Sequence, residues 1–209
     1  TTKAKNLIFP ENNLTSFNLN LSALQTTDQD LYSLSQQLGN MKQLTTLFIS
    51  LHKLHKINSS QSLRNGLQDL LTTLKGLPRL TNLAVVIQNG SDQDLKLFFS
   101  HLRDLMGLKS LEIKFLRLQN FSFETAHLFI KATERLEEMS RLSLKIEFPK
   151  TAVQETQLFL SGIKNLKSLA TFEYYFGLIV NSLPMTQMLE SWINLKSIKS
   201  LIHNGNEVL

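Results

Sequence analysis

The residues of this sequence that could do chemistry are few and widely separated. His52 and His55 lie three residues apart in a basic stretch, and two histidines at that spacing can share a metal ion. A stable site needs further ligands, but the sequence has no cysteine and places no third ligand near this pair. We therefore interpret the stretch as a polar loop above Leu51, Leu54 and Ile57, and we predict no metal site.

The densest group of carboxylates is formed by Glu134, Glu137 and Glu138. Lys131 and Arg135 lie at pairing distance, so the group is typical of a charged helix face with ion pairs. Neither Gly-x-Ser-x-Gly nor His-Glu-x-x-His occurs, and no glycine-rich phosphate-binding motif is present. We predict that the protein is not an enzyme and takes no cofactor or small-molecule substrate.

The composition points to a folded domain. Of 209 residues, 42% are hydrophobic and 19% are charged, which excludes a disordered chain, and the absence of cysteine excludes a disulfide scaffold. The most apolar stretch, residues 172–180, is too short to span a membrane and contains Glu173. No basic segment followed by an apolar one opens the chain, so we expect no secretory signal. Leucine makes up about a fifth of the residues, which suggests internal repetition.

Seven segments repeat a pattern of apolar residues spaced three, two and two apart. Segment 44–51, for example, reads Leu-Thr-Thr-Leu-Phe-Ile-Ser-Leu. The second apolar residue of each segment serves as its anchor, and the anchors are Phe17, Leu47, Leu83, Leu111, Leu142, Leu169 and Ile198. Successive anchors are 30, 36, 28, 31, 27 and 29 residues apart. This period is typical of solenoid proteins.

Each segment alternates apolar and polar residues, which predicts a strand with one buried face. The stretches between them have apolar residues with helical period, the last of them at residues 185–192. A hydroxyl residue followed three positions later by Asp or Gln predicts helix starts at Thr27, Ser91 and Thr151. Glycines after the first three helices are expected to be left-handed: Gly39, Gly76 and Gly107.

Alternating strands and helices with short links predict an α/β fold with about seven parallel strands and all helices on one face. Each strand–helix unit would bury its apolar face against its neighbours. The alternative, a doubly wound nucleotide-binding sheet, would need a glycine-rich first turn that this sequence lacks.

The segments resemble the leucine-rich repeat motif, L-x-x-L-x-L, and the long period is most similar to the ribonuclease-inhibitor subclass. The resemblance covers about residues 14–202, so we expect one repeat domain over 14–209, with 1–13 as a cap or partial repeat. The family places Asn or Cys five residues after each anchor, where its side chain bonds to neighbouring backbone. Here that ladder is missing, because the residues are Ser22, His52, Gln88, Leu116, Glu147, Tyr174 and His203.

The resemblance implies a curved solenoid that binds other proteins on its concave strand face, without chemistry. Alternation along the strands places the anchors' neighbours on that face. The candidate protein-binding residues are Asn18, Asn20, Phe48, Ser50, Val86, Glu112, Lys114, Arg141, Lys145, Phe172 and Lys199. Phe48 and Val86 would be apolar anchors, and the cations from the fourth strand onward would make the wall basic. We expect a scaffold or structural subunit of a larger intracellular assembly, in the cytoplasm or on the cytoskeleton, with the nucleus left open as an alternative.

The net charge of +5 keeps a second function open, that of a nucleic-acid-associated subunit using the basic carboxyl-terminal wall. The excess charge is nevertheless spread along the chain. A regulator that clamps an enzyme or GTPase is a third class, which no residue specifically supports. No helix is expected after the seventh strand, so we expect a partner to cover that edge.

Overall fold

A computed structural model describes residues 13–21, 28–52, 62–118, 120–149, 151–176, 200–203 and 206–207. Strands and helices alternate along the chain. The strands are β1 (Ser16–Asn20), β2 (Thr46–His52), β3 (Asn82–Gln88), β4 (Ser110–Leu116), β5 (Arg141–Ile146), β6 (Thr171–Phe176), β7 (Ser200–His203) and β8 (Asn206–Glu207). The helices are α1 (Asp28–Gly39), α2 (Ser62–Lys75), α3 (Asp92–Leu102), α4 (Phe123–Thr133) and α5 (Val153–Ser161), which continues into a 3₁₀-helix (Gly162–Asn165).

The eight described strands form one sheet whose spatial order is the chain order. Strands β1 to β7 are parallel, and β8 returns antiparallel to β7. Consecutive helices pack against each other in the same order. The predicted α/β architecture, a solenoid-like stack of strand–helix units, is confirmed.

The first five anchors align across the sheet as predicted, with Phe17 beside Leu47, then Leu83, Leu111 and Leu142. The sixth prediction was wrong by three residues, because Leu142 pairs with Phe172 and not with Leu169. The seventh strand is displaced equally, since Phe172 pairs with Leu201.

This error arose because leucine-led spacings of three occur twice in succession before β6. Leu166, Leu169 and Phe172 all fit the pattern, and all three are buried. Only the pairing with β5 distinguishes the strand residue from the two turn residues before it.

Backbone hydrogen bonds join each repeat to the next at the start of the strands. The carbonyl of Thr45 accepts the N–H groups of Thr81 and Asn82 at 3.0 and 2.9 Å. The carbonyl of Ser140 likewise accepts those of Ala170 and Thr171, at 2.8 and 3.0 Å. The same pairing recurs at each junction from β1 to β6, so the register is held by main-chain bonds.

The core lies between the sheet and the helices. Most residues on its strand side are leucine, isoleucine and valine, and its centre is a set of phenylalanine rings from α3, β4, α4 and α5. Phe159 is stacked on Phe129 with 3.9 Å between ring centroids, and its centroid lies 5.7 Å from that of Phe99. Aromatic pairs of this kind stabilise a core beyond the area they bury.

One predicted helix start is confirmed in detail. Ser91 caps α3 in a reciprocal capping box with Asp94. The start at Thr151 was wrong, because the residue before α5 is Ala152 and makes no side-chain cap bond. The start at Thr27 lies outside the described residues, as does the predicted helix at 185–192.

The expected left-handed glycines were also wrong. Gly39 is the last residue of α1, and none of Gly39, Gly76 and Gly107 adopts a left-handed φ. The chain leaves the helix through 3₁₀-type bonds instead, such as the N–H of Gly76 donating to the carbonyl of Thr73 at 2.9 Å.

The predicted glutamate face was misplaced as well. Helix α4 ends at Thr133, so Glu134, Glu137 and Glu138 follow it rather than sharing a helical face. Glu138 lies 3.8 Å from Lys109 of the preceding repeat.

Among the described residues that follow β3, β4 and β5, two side-chain links join neighbouring repeats. Glu147 lies five residues after its anchor, at the position of the family's ladder, and it accepts the backbone N–H of Arg117 at 2.9 Å. Arg117 and Asn89, at equivalent positions after β4 and β3, are the two non-glycine residues with positive φ in the described ranges, at 59° and 58°. At the junction between β4 and β5, the Glu147 carboxylate therefore bonds to the backbone of the neighbouring repeat, which is the role of the ladder residue that we expected to be missing.

The second link is at Asp92, the first residue of α3. Its carboxylate accepts the N–H of Ser122 at 2.9 Å, the hydroxyl of Ser122 at 2.8 Å and the hydroxyl of Thr125 at 2.6 Å. Lys96 lies 3.2 Å from the same carboxylate and 2.5 Å from Glu124. Burial would raise the pKa of Asp92, but the hydrogen bonds from Thr125, Ser122 and Lys96 outweigh it and lower the pKa below 3.8.

The carboxyl-terminal edge differs from the expectation. Ile202 and His203 of β7 pair with Glu207 and Asn206 of β8, so the chain itself pairs with part of this edge. No helix in the described ranges is long and apolar enough to cross a membrane.

Candidate functional site

The side of the sheet turned away from the helices, here called the strand face, carries three rows of side chains. They follow from the register and the alternation along each strand. The first row is Ser16, Thr46, Asn82, Ser110, Arg141 and Thr171. The middle row is Asn18, Phe48, Ala84, Glu112, Ser143 and Glu173. The last row is Asn20, Ser50, Val86, Lys114, Lys145 and Tyr175.

A groove of about 670 Å³ crosses the strand face from β2 to β6. Its lining includes Phe48 and Ala84 at the β2–β3 end. At the β4–β6 end it includes Glu112, Arg141 and Tyr175. The groove therefore has an apolar half and a charged half, and it extends across five repeats.

Most of the predicted binding residues lie on the strand face. Phe48, Val86, Glu112, Lys114 and Lys145 are partly exposed there, while Asn18, Asn20 and Arg141 are exposed.

Three of the predictions fare differently. The prediction that Phe172 lies on the strand face was wrong, because this residue is completely buried on the helix side of the sheet, next to the core residue Leu142 of β5. Ser50 belongs to the last row but is only 8% exposed, so it offers little contact area. Lys199 lies outside the described residues.

The displaced sixth strand brings to the groove two residues that the repeat pattern did not predict there. Glu173 joins the middle row beside Ser143, and Tyr175 joins the last row beside Lys145. Tyr175 is 40% exposed, although it lies next to the buried Tyr174. The signal that could have revealed them was the alternation of residues 171–176, in which Phe172 and Tyr174 form the apolar face.

Glu112 and Glu173 reduce the positive charge on the part of the strand face formed by β4, β5 and β6. Lys114 forms an ion pair with Glu112, and the ammonium of Lys145 lies 4.8 Å from the ring centroid of Tyr175. Among β4, β5 and β6, three cations thus face two carboxylates, and the excess is a single positive charge. The described part of the wall is therefore less basic than expected, although it keeps a positive excess.

The first row contains hydrogen-bonding side chains and a single charge. Asn82 donates to Thr46 at 3.2 Å and to Thr81 at 3.3 Å, so the amide is held in place. Ser110 and Thr171 flank Arg141 on the neighbouring strands. Within the described residues the guanidinium of Arg141 forms no ion pair, and the row has no carboxylate.

The groove offers apolar, hydrogen-bonding and charged contacts for binding. No group of three potential metal ligands occurs among the described residues. Burial raises the pKa of Tyr174 to about 12, so the phenol beneath the groove stays protonated at neutral pH.

No known family model matches the chain, and no curated protein is significantly similar to it.

Proposed function

We propose that this chain is a divergent leucine-rich-repeat module without catalytic activity, which binds another protein through its strand face. In this role it serves as a scaffold or structural subunit of an intracellular assembly. The repeat period, the parallel sheet in chain order and the helices packed in sequence support the assignment of the repeat type.

The observation that carries the binding role is the groove. Parallel sheets of this type bury the helix side in the core and leave the strand face as a broad surface of fixed side chains. The groove combines Phe48, a partly exposed aromatic, with Arg141, an exposed guanidinium. Aromatic and arginine side chains dominate the energetics of protein interfaces.

The test is capture of partners by the immobilised full chain, with identification by mass spectrometry. Phe48→Asp places a charge in the apolar half of the groove and should abolish specific capture. The matched control is Tyr32→Asp, since Tyr32 is 47% exposed on α1, away from the strand face. Equal capture by the two variants would refute the groove as the binding surface.

The nucleic-acid alternative has weaker support. A polyanion following the groove would meet Glu112 and Glu173 as well as the cations. Titration with salt separates the two functions, because binding through phosphates weakens steeply with ionic strength whereas an apolar interface responds much less.

A further inference from the structure

The first row of the strand face is the part of the groove best suited to an anionic group. Its residues from β2 to β6 supply hydroxyl, amide and guanidinium donors, and none is acidic. Arg141 is the single charge in the row and is exposed. An arginine fork without an ion-pair partner among the described residues is suited to bidentate pairing with a carboxylate.

The neighbouring rows restrict which anion fits. Glu112 and Glu173 lie in the middle row, on the strands either side of Arg141. They disfavour a polyanion or a dianionic phosphate over the charged half of the groove, since like charges repel at this range. A single carboxylate bound at the first row lies one row away from the two glutamates. The hydroxyls of Ser110 and Thr171, on the strands beside Arg141, can donate hydrogen bonds to it.

The apolar half supplies the second contact. Phe48 and Ala84 lie side by side in the middle row on β2 and β3, and both line the groove. From Phe48 to Arg141 the path crosses three strand spacings and two residues along a strand, which is about 16 Å. An extended peptide covers that distance in about five residues.

We propose that the partner segment is an extended acidic peptide, which places one carboxylate on Arg141 and an apolar side chain about five residues away on Phe48. This inference rests on the proposed function and adds the chemistry of the partner. The carboxylate sets register and specificity, and the apolar side chain supplies buried area.

The experiment is selection from a phage-displayed library of random peptides of about ten residues, twice the estimated span. The full chain is the bait. The selected peptides should share an Asp or Glu about five residues from an aromatic or aliphatic residue. A representative synthetic peptide, labelled with fluorescein, then reports affinity by fluorescence polarisation.

Arg141→Glu should lower the affinity for this peptide at least about tenfold. Replacing the acidic residue of the peptide by its amide should lower the affinity less for that variant than for the wild type. Lys164→Glu with Lys167→Glu is the control, because both lysines are exposed between α5 and β6 and neither lines the groove. That double variant should bind as the wild type does.

Four results would overturn the inference. Peptides that need Phe48 but share no acidic residue would overturn it and leave the proposed function intact. Failure to select any peptide, or equal affinity of Arg141→Glu, would also overturn it, while the capture experiment would still judge the proposed function. Binding of a labelled single-stranded RNA that is lost in Arg141→Glu would replace the acidic peptide by a nucleic acid.

Discussion

Removal of the Asp92 carboxylate should destabilise the junction between the third and fourth repeats. Asp92→Ala deletes the acceptor of three hydrogen bonds, from the Ser122 N–H, the Ser122 hydroxyl and the Thr125 hydroxyl. Hydrogen bonds to a charged group contribute about 1.5–3 kcal/mol each, but bonds that share one acceptor are not additive. We therefore expect a loss of about 3 kcal/mol in the free energy of unfolding.

The loss should also depend on pH in a defined direction. The pKa of Asp92 is lowered in the folded protein, so its carboxylate stabilises the fold fully at pH values above 3.8. That stabilisation disappears as the pH falls through the lower, folded value. The difference between wild type and variant should thus be constant near neutral pH and should shrink in acid.

The assay is urea or thermal unfolding followed by circular dichroism. A loss of about 3 kcal/mol corresponds to a fall of about 6 to 12 °C in Tm for a chain of this size. Asp104→Ala is the matched control. It removes an inter-repeat ion pair with Lys75 at 3.2 Å, but the lysine is 59% exposed, and such pairs contribute about 1 kcal/mol at most. Equal losses in the two variants, or a difference that persists undiminished in acid, would refute the role assigned to Asp92.

Two further predictions concern the core. Phe159→Ala should lower the free energy of unfolding by about 3–5 kcal/mol, because the ring stacks on Phe129 and is completely buried. Phe123 is 46% exposed, so Phe123→Ala should change that free energy by about 0.5 kcal/mol or less. Similar decreases for both variants in chemical denaturation would contradict this account of the core. Burial raises the pKa of Tyr174 from 10.0 to about 12 in the folded protein. Above pH 10 the unfolded state therefore loses this proton before the folded state does, and the free energy of unfolding should fall as the pH rises between these values. Tyr174→Phe should reduce that fall, and tyrosinate absorbance of the folded protein should show one late-ionising phenol; ionisation of all tyrosines together near 10 would contradict the prediction.

The strand–helix alternation, the parallel single sheet and the alignment of the first five anchors could all be predicted from the sequence. These features depend on local periodicity and on a repeat length that each unit obeys, and both are visible along the chain. The same alternation correctly placed Phe48, Arg141 and Lys145 on the strand face.

The tertiary structure decided what local spacing left ambiguous. Leu169 and Phe172 both satisfy the repeat pattern, and only pairing with β5 buries Phe172 and turns Glu173 and Tyr175 into the groove. A three-residue shift along a strand exchanges its two faces, since side chains alternate with a period of two. The links between repeats, such as Asp92 to the start of α4, likewise join residues about thirty positions apart and leave no local mark. The sequence by itself thus determined the architecture, whereas the charge pattern of the face and the joints between repeats followed only from strand pairing and helix packing.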